Sequence, residues 1–215
     1  MSTAFYIGDN MIKTQKYYDF MDMFENDECP ICQMRQKWAH EFIDAFLYEG
    51  VNDRKFRKII RDNGGFCRKH AYDMMAQGDP LAHAILYSDL IGDYLKDIDK
   101  KKKPGCLICS KEQEADEIMY RAFMEYFTGD KDFYNKFAQT KSVICKPHLK
   151  ELKKMFKKNK SQIDGLYEVQ IENLKVAQEH LEEIMRKHDY RYKNEPLTDE
   201  ERLAWQRAVK LMVGK

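Results

Sequence analysis

Apolar residues recur along this chain at intervals of three and four, broken by turn residues at wide spacing, which is the pattern of amphipathic helices and not of strands. The segment from Gln33 to Tyr48 predicts a helix with Met34, Trp38, Phe42, Ala45 and Phe46 on one face and Gly50 as a stop signal. Lys111 to Phe127 repeats it, with Ile118, Met119, Ala122, Phe123 and Tyr126, and Gly129 stands where Gly50 stood. Each is followed by a short helix carrying Phe56, Ile59 and Ile60 in the first case and Phe133 and Phe137 in the second. A further short helix follows in each half, His70 to Ala76 and His148 to Phe156. Longer helices come next, about Pro80 to Asp97 through Leu81, Ile85, Leu86, Leu90, Ile91 and Leu95, and about Gln162 to His188 through Ile163, Leu166, Tyr167, Ile171, Leu174, Leu181 and Ile184. The expected fold is therefore all-α, two tandem helical repeats produced by duplication of one supersecondary unit.

The expected organisation places the first repeat, with an N-terminal segment, in 1–99, the second in 106–190 and a tail in 191–215, together making one compact body. The stretch 100–105 reads as a linker, because four lysines from Lys100 to Lys103 repel one another ahead of Pro104. Lys150 to Lys160 holds six lysines, but Leu152, Met155 and Phe156 interrupt them, so an amphipathic surface helix is expected there. In the tail, Thr198 and Glu201 form a capping box for a last helix through Leu203, Trp205 and Val209, with Trp205 packing on the body.

Chemistry enters with the cysteines. All six fall into one pattern used twice: Cys29-x-x-Cys32 then Cys67-x-x-His70, and Cys106-x-x-Cys109 then Cys145-x-x-His148. Two intervening residues let both members of a pair reach one ion from a single turn, and three thiolates with one imidazole complete a tetrahedral shell. Each pair falls at the start of a predicted helix, where free backbone N–H groups and the helix dipole stabilise anionic sulfur. Arg68, Lys69 and Lys146 add positive charge beside the ligands.

The direct reading pairs ligands within each repeat: Cys29, Cys32, Cys67 and His70 on one ion, Cys106, Cys109, Cys145 and His148 on the other. A pseudo-twofold arrangement joining Cys29 and Cys32 to Cys145 and His148 uses the same residues and is the alternative. Two zinc ions fit the donor set, and two iron–sulfur clusters on the same residues are the other reading. Four protein ligands close the shell, which suits a structural site. Loss of a full site should then destabilise the protein more than a surface change does.

Other chemistry is poorly represented. Cys29-Pro30-Ile31-Cys32 has the spacing of a thiol-disulfide motif but lacks the βαβ context it needs, and Gln33 and Ser110 stand where covalent haem attachment requires histidine. His40, His83, His180 and His188 lack ligand company, and no phosphate loop, nucleophile elbow or His-Glu-x-x-His motif occurs. The reading leans away from an enzyme and towards a scaffold or interaction module with a protein partner.

A formal charge of +1 from 37 basic and 36 acidic residues gives no general attraction to nucleic acid or to anionic membrane. Six thiolates and two divalent zinc ions would move it to −1. Without a long apolar run in Met1 to Phe20 or later, a cytoplasmic location is expected, where thiols stay reduced and available to metal.

Glu28-Cys29-Pro30-Ile31-Cys32, Gly65-Phe66-Cys67-Arg68-Lys69-His70, Cys106-Leu107-Ile108-Cys109 and Cys145-Lys146-Pro147-His148 resemble the uncharacterised prokaryotic family known as domain of unknown function 6062. The resemblance continues through Gln170-Ile171-Glu172-Asn173-Leu174 and Asp189-Tyr190-Arg191 and covers nearly the whole chain. Val143-Ile144 departs from it, where a Gly-Phe pair such as Gly65-Phe66 is more typical. The resemblance implies a bacterial or archaeal cytosolic protein and no assigned activity.

Overall fold

The computed structural model describes residues 12–26, 28–96, 98–99, 105–192 and 194–214. The lysines of the expected linker, Lys100 to Lys103, and Pro104 lie outside them, as does most of the N-terminal segment. Among the described residues there are α-helices and three short 3-10 turns, and no strand, as the periodicity predicts. In chain order the helices are α1 (Gln15–Met23), α2 (Pro30–Tyr48), α3 (Arg54–Asp62), α4 (Arg68–Gln77), α5 (Pro80–Lys96), α6 (Leu107–Gly129), α7 (Lys131–Gln139), α8 (Lys146–Met155), α9 (Lys160–Lys187) and α10 (Asp199–Val213).

The series α2 to α5 is answered by α6 to α9, long, short, short, long, and the repeat extends to the caps. Asp53 accepts from the Lys55 amide at the start of α3, and Asp130 accepts from the Phe133 amide at the start of α7. A carboxylate here satisfies one of the first-turn N–H groups that have no partner within the helix.

The chain divides into two compact units, residues 1–34 with 118–215, and residues 35–117. The first has an aromatic centre. Phe20, Phe24, Phe123, Phe133 and Phe137 are all fully buried, and their rings meet mostly edge to face, with Phe24–Phe133 centroids 5.0 Å apart and Phe123–Phe137 centroids 5.4 Å apart. That geometry sets positive ring edges on negative ring faces and adds to the gain from burial. The second unit is mainly aliphatic, built on Ile43, Phe46, Leu47, Val51, Ile60, Met74, Leu86 and Ile108. Arg57 and Arg61 of α3 clasp Asp89 and Asp93 of α5 along its rim.

Several apolar positions differ from expectation. Ala45, Ile59, Ile118, Leu81, Ile91, Leu95, Ile171 and Leu174 are exposed, while Ala39, Ile43 and Gln170 are buried. These helices bury narrower stripes than their apolar content suggests, because each unit is small and each helix has few neighbours to cover it. The tail helix forms with its capping box, Thr198 accepting from the Glu201 amide and the Glu201 carboxylate accepting from the Thr198 amide. Trp205 does not pack on the body, however: it is 58% exposed, and Glu201, Ala204 and Leu211 form the covered face. The buried Glu201 carboxylate also takes Lys187 at 2.7 Å, so one side chain serves as cap and ion pair.

Candidate metal centres

Cys29, Cys67, Cys106 and Cys145 each immediately precede the first residue of a helix, namely α2, α4, α6 and α8. Each also accepts, through its backbone carbonyl, the amide four residues on: Gln33, Ala71, Ser110 and Leu149. The second member of each pair, Cys32, His70, Cys109 or His148, lies one turn inside. All four pairs therefore present two donors from one helix start, as the spacing predicts.

The pairs converge in two groups, and the pairing within each repeat is corrected. Cys29, Cys32, Cys145 and His148 form one cluster, and Cys67, His70, Cys106 and Cys109 form the other, with donor atoms in each cluster within 4.8 Å of one another. The reason is helix length. At 1.5 Å per residue α2 carries the chain about 28 Å from its first turn, and Phe66, just before Cys67, packs on Phe46 near the far end of that helix, ring centroids 5.9 Å apart. Between α3 and Cys67, Gly64 and Gly65 take positive φ of 76° and 95° and curl the chain back onto α3, with the Gly65 amide bonded to the Ile60 carbonyl at 2.9 Å. Cys67 therefore meets its partners inside residues 35–117, where the Gly105 amide donates to the Asn63 carbonyl at 2.8 Å and sets Cys106 beside it. A Cβ on Gly105 would lie 3.2 Å from Asn63 Oδ1, so the close approach favours glycine.

The other cluster is assembled the same way. Ser142 Oγ donates to the Glu28 carbonyl at 2.8 Å, fixing the segment ahead of Cys145 beside the segment ahead of Cys29. The extended residues Lys141 to Ile144 cannot satisfy their own backbone groups, and α9 supplies the partners. Buried Gln170 both accepts from the Ile144 amide at 3.0 Å and donates to the Ile144 carbonyl at 2.8 Å. Asn173 donates to the Thr140 and Ser142 carbonyls. Val143 and Ile144, the departure noted above, are buried at 1% and 2%, and Val143 packs with Ala177 and Leu211.

Donor spacing suits one small cation per cluster. A tetrahedral zinc with Zn–S about 2.3 Å and Zn–N about 2.05 Å places two sulfurs about 3.75 Å apart and a sulfur and the nitrogen about 3.55 Å apart. In the Cys29 cluster, Cys32 Sγ and Cys145 Sγ are 3.6 Å apart, and His148 Nδ1 lies 3.5, 3.4 and 3.2 Å from the sulfurs of Cys29, Cys32 and Cys145. In the Cys67 cluster, Cys67 Sγ and Cys109 Sγ are 3.7 Å apart, and His70 Nδ1 lies 3.3 Å from each of Cys67, Cys106 and Cys109.

Without a cation these groups contest a few protons. Burial pushes the Cys29 thiol up, and burial likewise lifts Cys109 to about 12. Cys32 is held far down by hydrogen bonds from the Cys145 and Cys29 thiols. At Cys67 burial opposes ionisation, but the His70 and Lys69 amides of α4 and the Cys109 and Cys106 thiols outweigh it and lower the value. Burial works against a charged His148, yet Cys145 and Cys32 raise it to about 9. At neutral pH a divalent cation entering the clusters must therefore expel protons from Cys29, His148 and Cys109. Affinity is expected to climb as pH rises towards about 9, because less of His148 then carries a proton to lose. Calorimetry in buffers of different ionisation enthalpy measures the protons released, and pH-independent binding with no release would contradict this.

The surroundings of the two histidines differ. His70 Nε2 lies 3.2 Å from Glu112 Oε1, and Glu112, 3% exposed, is paired with Arg35 at 2.8 Å. Burial opposes the Glu112 charge, but the Arg35 guanidinium lowers its pKa, so an anion faces the imidazole. Lys69 Nζ also stands 3.2 Å from the same nitrogen, and a carboxylate beside the far nitrogen of a ligating histidine orients the ring for metal. His148 instead meets the Tyr120 ring, centroids 5.9 Å apart. Glu112 and Arg35 stand out only once the repeats are superposed, since each lies three residues after the second cysteine of its pair, with opposite charge. Glu112→Gln is expected to weaken cation binding at this cluster by about 10- to 100-fold and leave the other unchanged. Competition with a chromogenic chelator measures both.

Of the flanking cations, Lys69 lies 3.6 Å from Glu112 and 3.2 Å from Asp73, and Arg68 lies over the Tyr72 ring. His40, His83, His180 and His188 belong to neither cluster. His180 is 3.5 Å from Glu200, and His188 Nδ1 contacts the Ile184 carbonyl. No helix among the described residues is long and apolar enough to cross a membrane.

The model of a family of unknown function, DUF6062, matches this chain twice, over residues 13–105 and 95–215. A curated relative, "Uncharacterized 23.9 kDa protein in xynA 3'region" of Caldicellulosiruptor sp. (strain Rt8B.4), is 35% identical over 205 residues, which cover 90% of this chain and 98% of the relative. No solved structure matches.

Proposed function

The chain belongs to the DUF6062 family, described only as of unknown function, and from that premise we propose that it is a zinc protein in which two Cys3His centres hold a helical scaffold together. The observation that carries this is the size of the clusters. Four donors within 4.8 Å of one another leave room for a single ion, whereas an iron–sulfur cluster places several iron and sulfide atoms between its thiolates. The compact spacing therefore favours zinc over the two clusters that the same residues would otherwise suit.

Each shell closes with four protein donors and keeps no position for water or substrate, which supports a structural role over a catalytic one. The scaffold would serve a protein partner in the cytoplasm. Trp205, Val209 and Met212 of α10, spaced four and three apart and 58%, 56% and 56% exposed, make an apolar stripe suited to such a contact. The test is elemental analysis of protein purified without oxygen or added metal. Two zinc ions per colourless chain are expected, and stoichiometric iron and sulfide in a brown protein would contradict the proposal.

A further inference from the structure

The two centres differ in their access to solvent. At the Cys29 centre every donor residue is buried: Cys29 at 4%, Cys32 at 3%, Cys145 at 0% and His148 at 6%. Helix α10 lies over it. Its last turn brings Gly214 so close that a Cβ there would sit 3.7 Å from Cys145 Sγ. Lys210 pairs with Glu28 at 2.5 Å, and Arg207 donates to the Lys141 carbonyl. Cys29 lines a recess of about 150 Å³ walled by Leu203, Arg207, Lys210 and Leu211 of the same helix. At the Cys67 centre, His70 and Cys106 are buried but Cys67 and Cys109 are half-buried. These two sulfurs are also the pair 3.7 Å apart.

Building on the metal-binding reading, we propose that the Cys67 centre is an oxidant-responsive switch in which Cys67 and Cys109 become a disulfide and release their cation, while the Cys29 centre stays loaded. The oxidant is a peroxide. The Cys67 thiolate, at the N-terminal end of α4 where backbone amides support a sulfur nucleophile, attacks one peroxide oxygen. The O–O bond breaks, and the departing oxygen leaves as an alcohol, or as water from hydrogen peroxide, after taking a proton. Cys67 is now a sulfenic acid, and the Cys109 thiolate displaces its hydroxyl, which leaves as water with a second proton. Two thiolates have given two electrons to one peroxide and one S–S bond has formed, closing 3.7 Å to a bond of about 2.05 Å. Cys106 and His70 alone hold the cation too weakly to keep it.

The experiment uses the complete protein, purified without oxygen and shown first to carry two ions. One equivalent of hydrogen peroxide is added, cation release is followed with a chromogenic chelator, and disulfides are mapped by mass spectrometry without reduction. We expect one ion released per chain, a Cys67–Cys109 bridge, and Cys29, Cys32 and Cys145 unmodified. With Cys109→Ser, the Cys67 sulfenic acid should persist and be captured by a sulfenate-specific nucleophile. Release of both ions together, first oxidation at Cys29, Cys32 or Cys145, or no release at all would overturn the switch and leave the metal reading standing. A chain isolated without ions would overturn both.

Discussion

Stripping both cations with a strong chelator is expected to lower the melting midpoint by at least about 20 °C. Structural zinc sites contribute about 10–16 kcal/mol of apparent binding free energy near neutral pH, and where the unfolded chain lacks the site that energy stabilises the fold. In a chain of this size about 1 kcal/mol shifts the midpoint by roughly 2–4 °C, so even the lower end of that range gives a large change. The empty protein is further disfavoured by what remains. Three sulfurs and an imidazole would face one another across a buried space, with Cys29 forced to keep its proton and Cys32 to give its up. Thermal unfolding followed by circular dichroism, before and after chelation, measures the shift, and an unchanged midpoint in metal-free protein would contradict a structural role.

The second large effect lies away from the metal. Phe133→Ala is expected to cost about 3–5 kcal/mol, because the ring is fully buried and removing it opens a cavity that its neighbours cannot collapse into. It touches Tyr17, Phe20, Phe24, Phe123 and Tyr126, all with centroids within 6.0 Å. One truncation therefore strips contacts from α1, α6 and the turn after α1 together. Phe133→Leu should cost clearly less, since it keeps most of the volume. Urea unfolding of the three proteins gives the order, and equal stability of Phe133→Ala and the parent chain would contradict the packing described. Chelation empties a centre in each unit, whereas the Phe133 changes act within the first alone, on an aromatic centre that needs no cation.

Much of this architecture was legible in the residues. The four helices that follow the ligand pairs were expected from Gln33, His70, Lys111 and His148 and begin two to four residues earlier, at Pro30, Arg68, Leu107 and Lys146, because apolar periodicity starts only after the first turn, and Thr198 with Glu201 announced α10. The pairing was not legible from spacing, because two copies of one motif offer the same donors to either arrangement. Helix length bears on it: the 19 residues of α2 carry the chain away from Cys29, and Cys67 follows Phe66, which packs on Phe46 near the far end of that helix. Trp205 misled because size and hydrophobicity suggest burial, whereas the register set by the capping box turns Ala204 and Leu211 inward. Glu112 escaped notice because one carboxylate among 36 acidic residues carries no label until His70 stands against it. Gln170 and Asn173 belong to the quoted resemblance, yet their task depends on unpaired backbone at Thr140 to Ile144 that no periodicity reveals.

The crossed pairing is tested most directly by counting tightly bound ions in two double variants. In Cys29→Ser with Cys145→Ser, both changes fall in one centre, so one ion per chain should remain and none of its ligands should be altered. In Cys29→Ser with Cys67→Ser, the changes fall in different centres, and no ion should be held with parental affinity. The opposite result, no tight ion in the first variant and one in the second, would mean that each repeat closes its own site and would contradict the account.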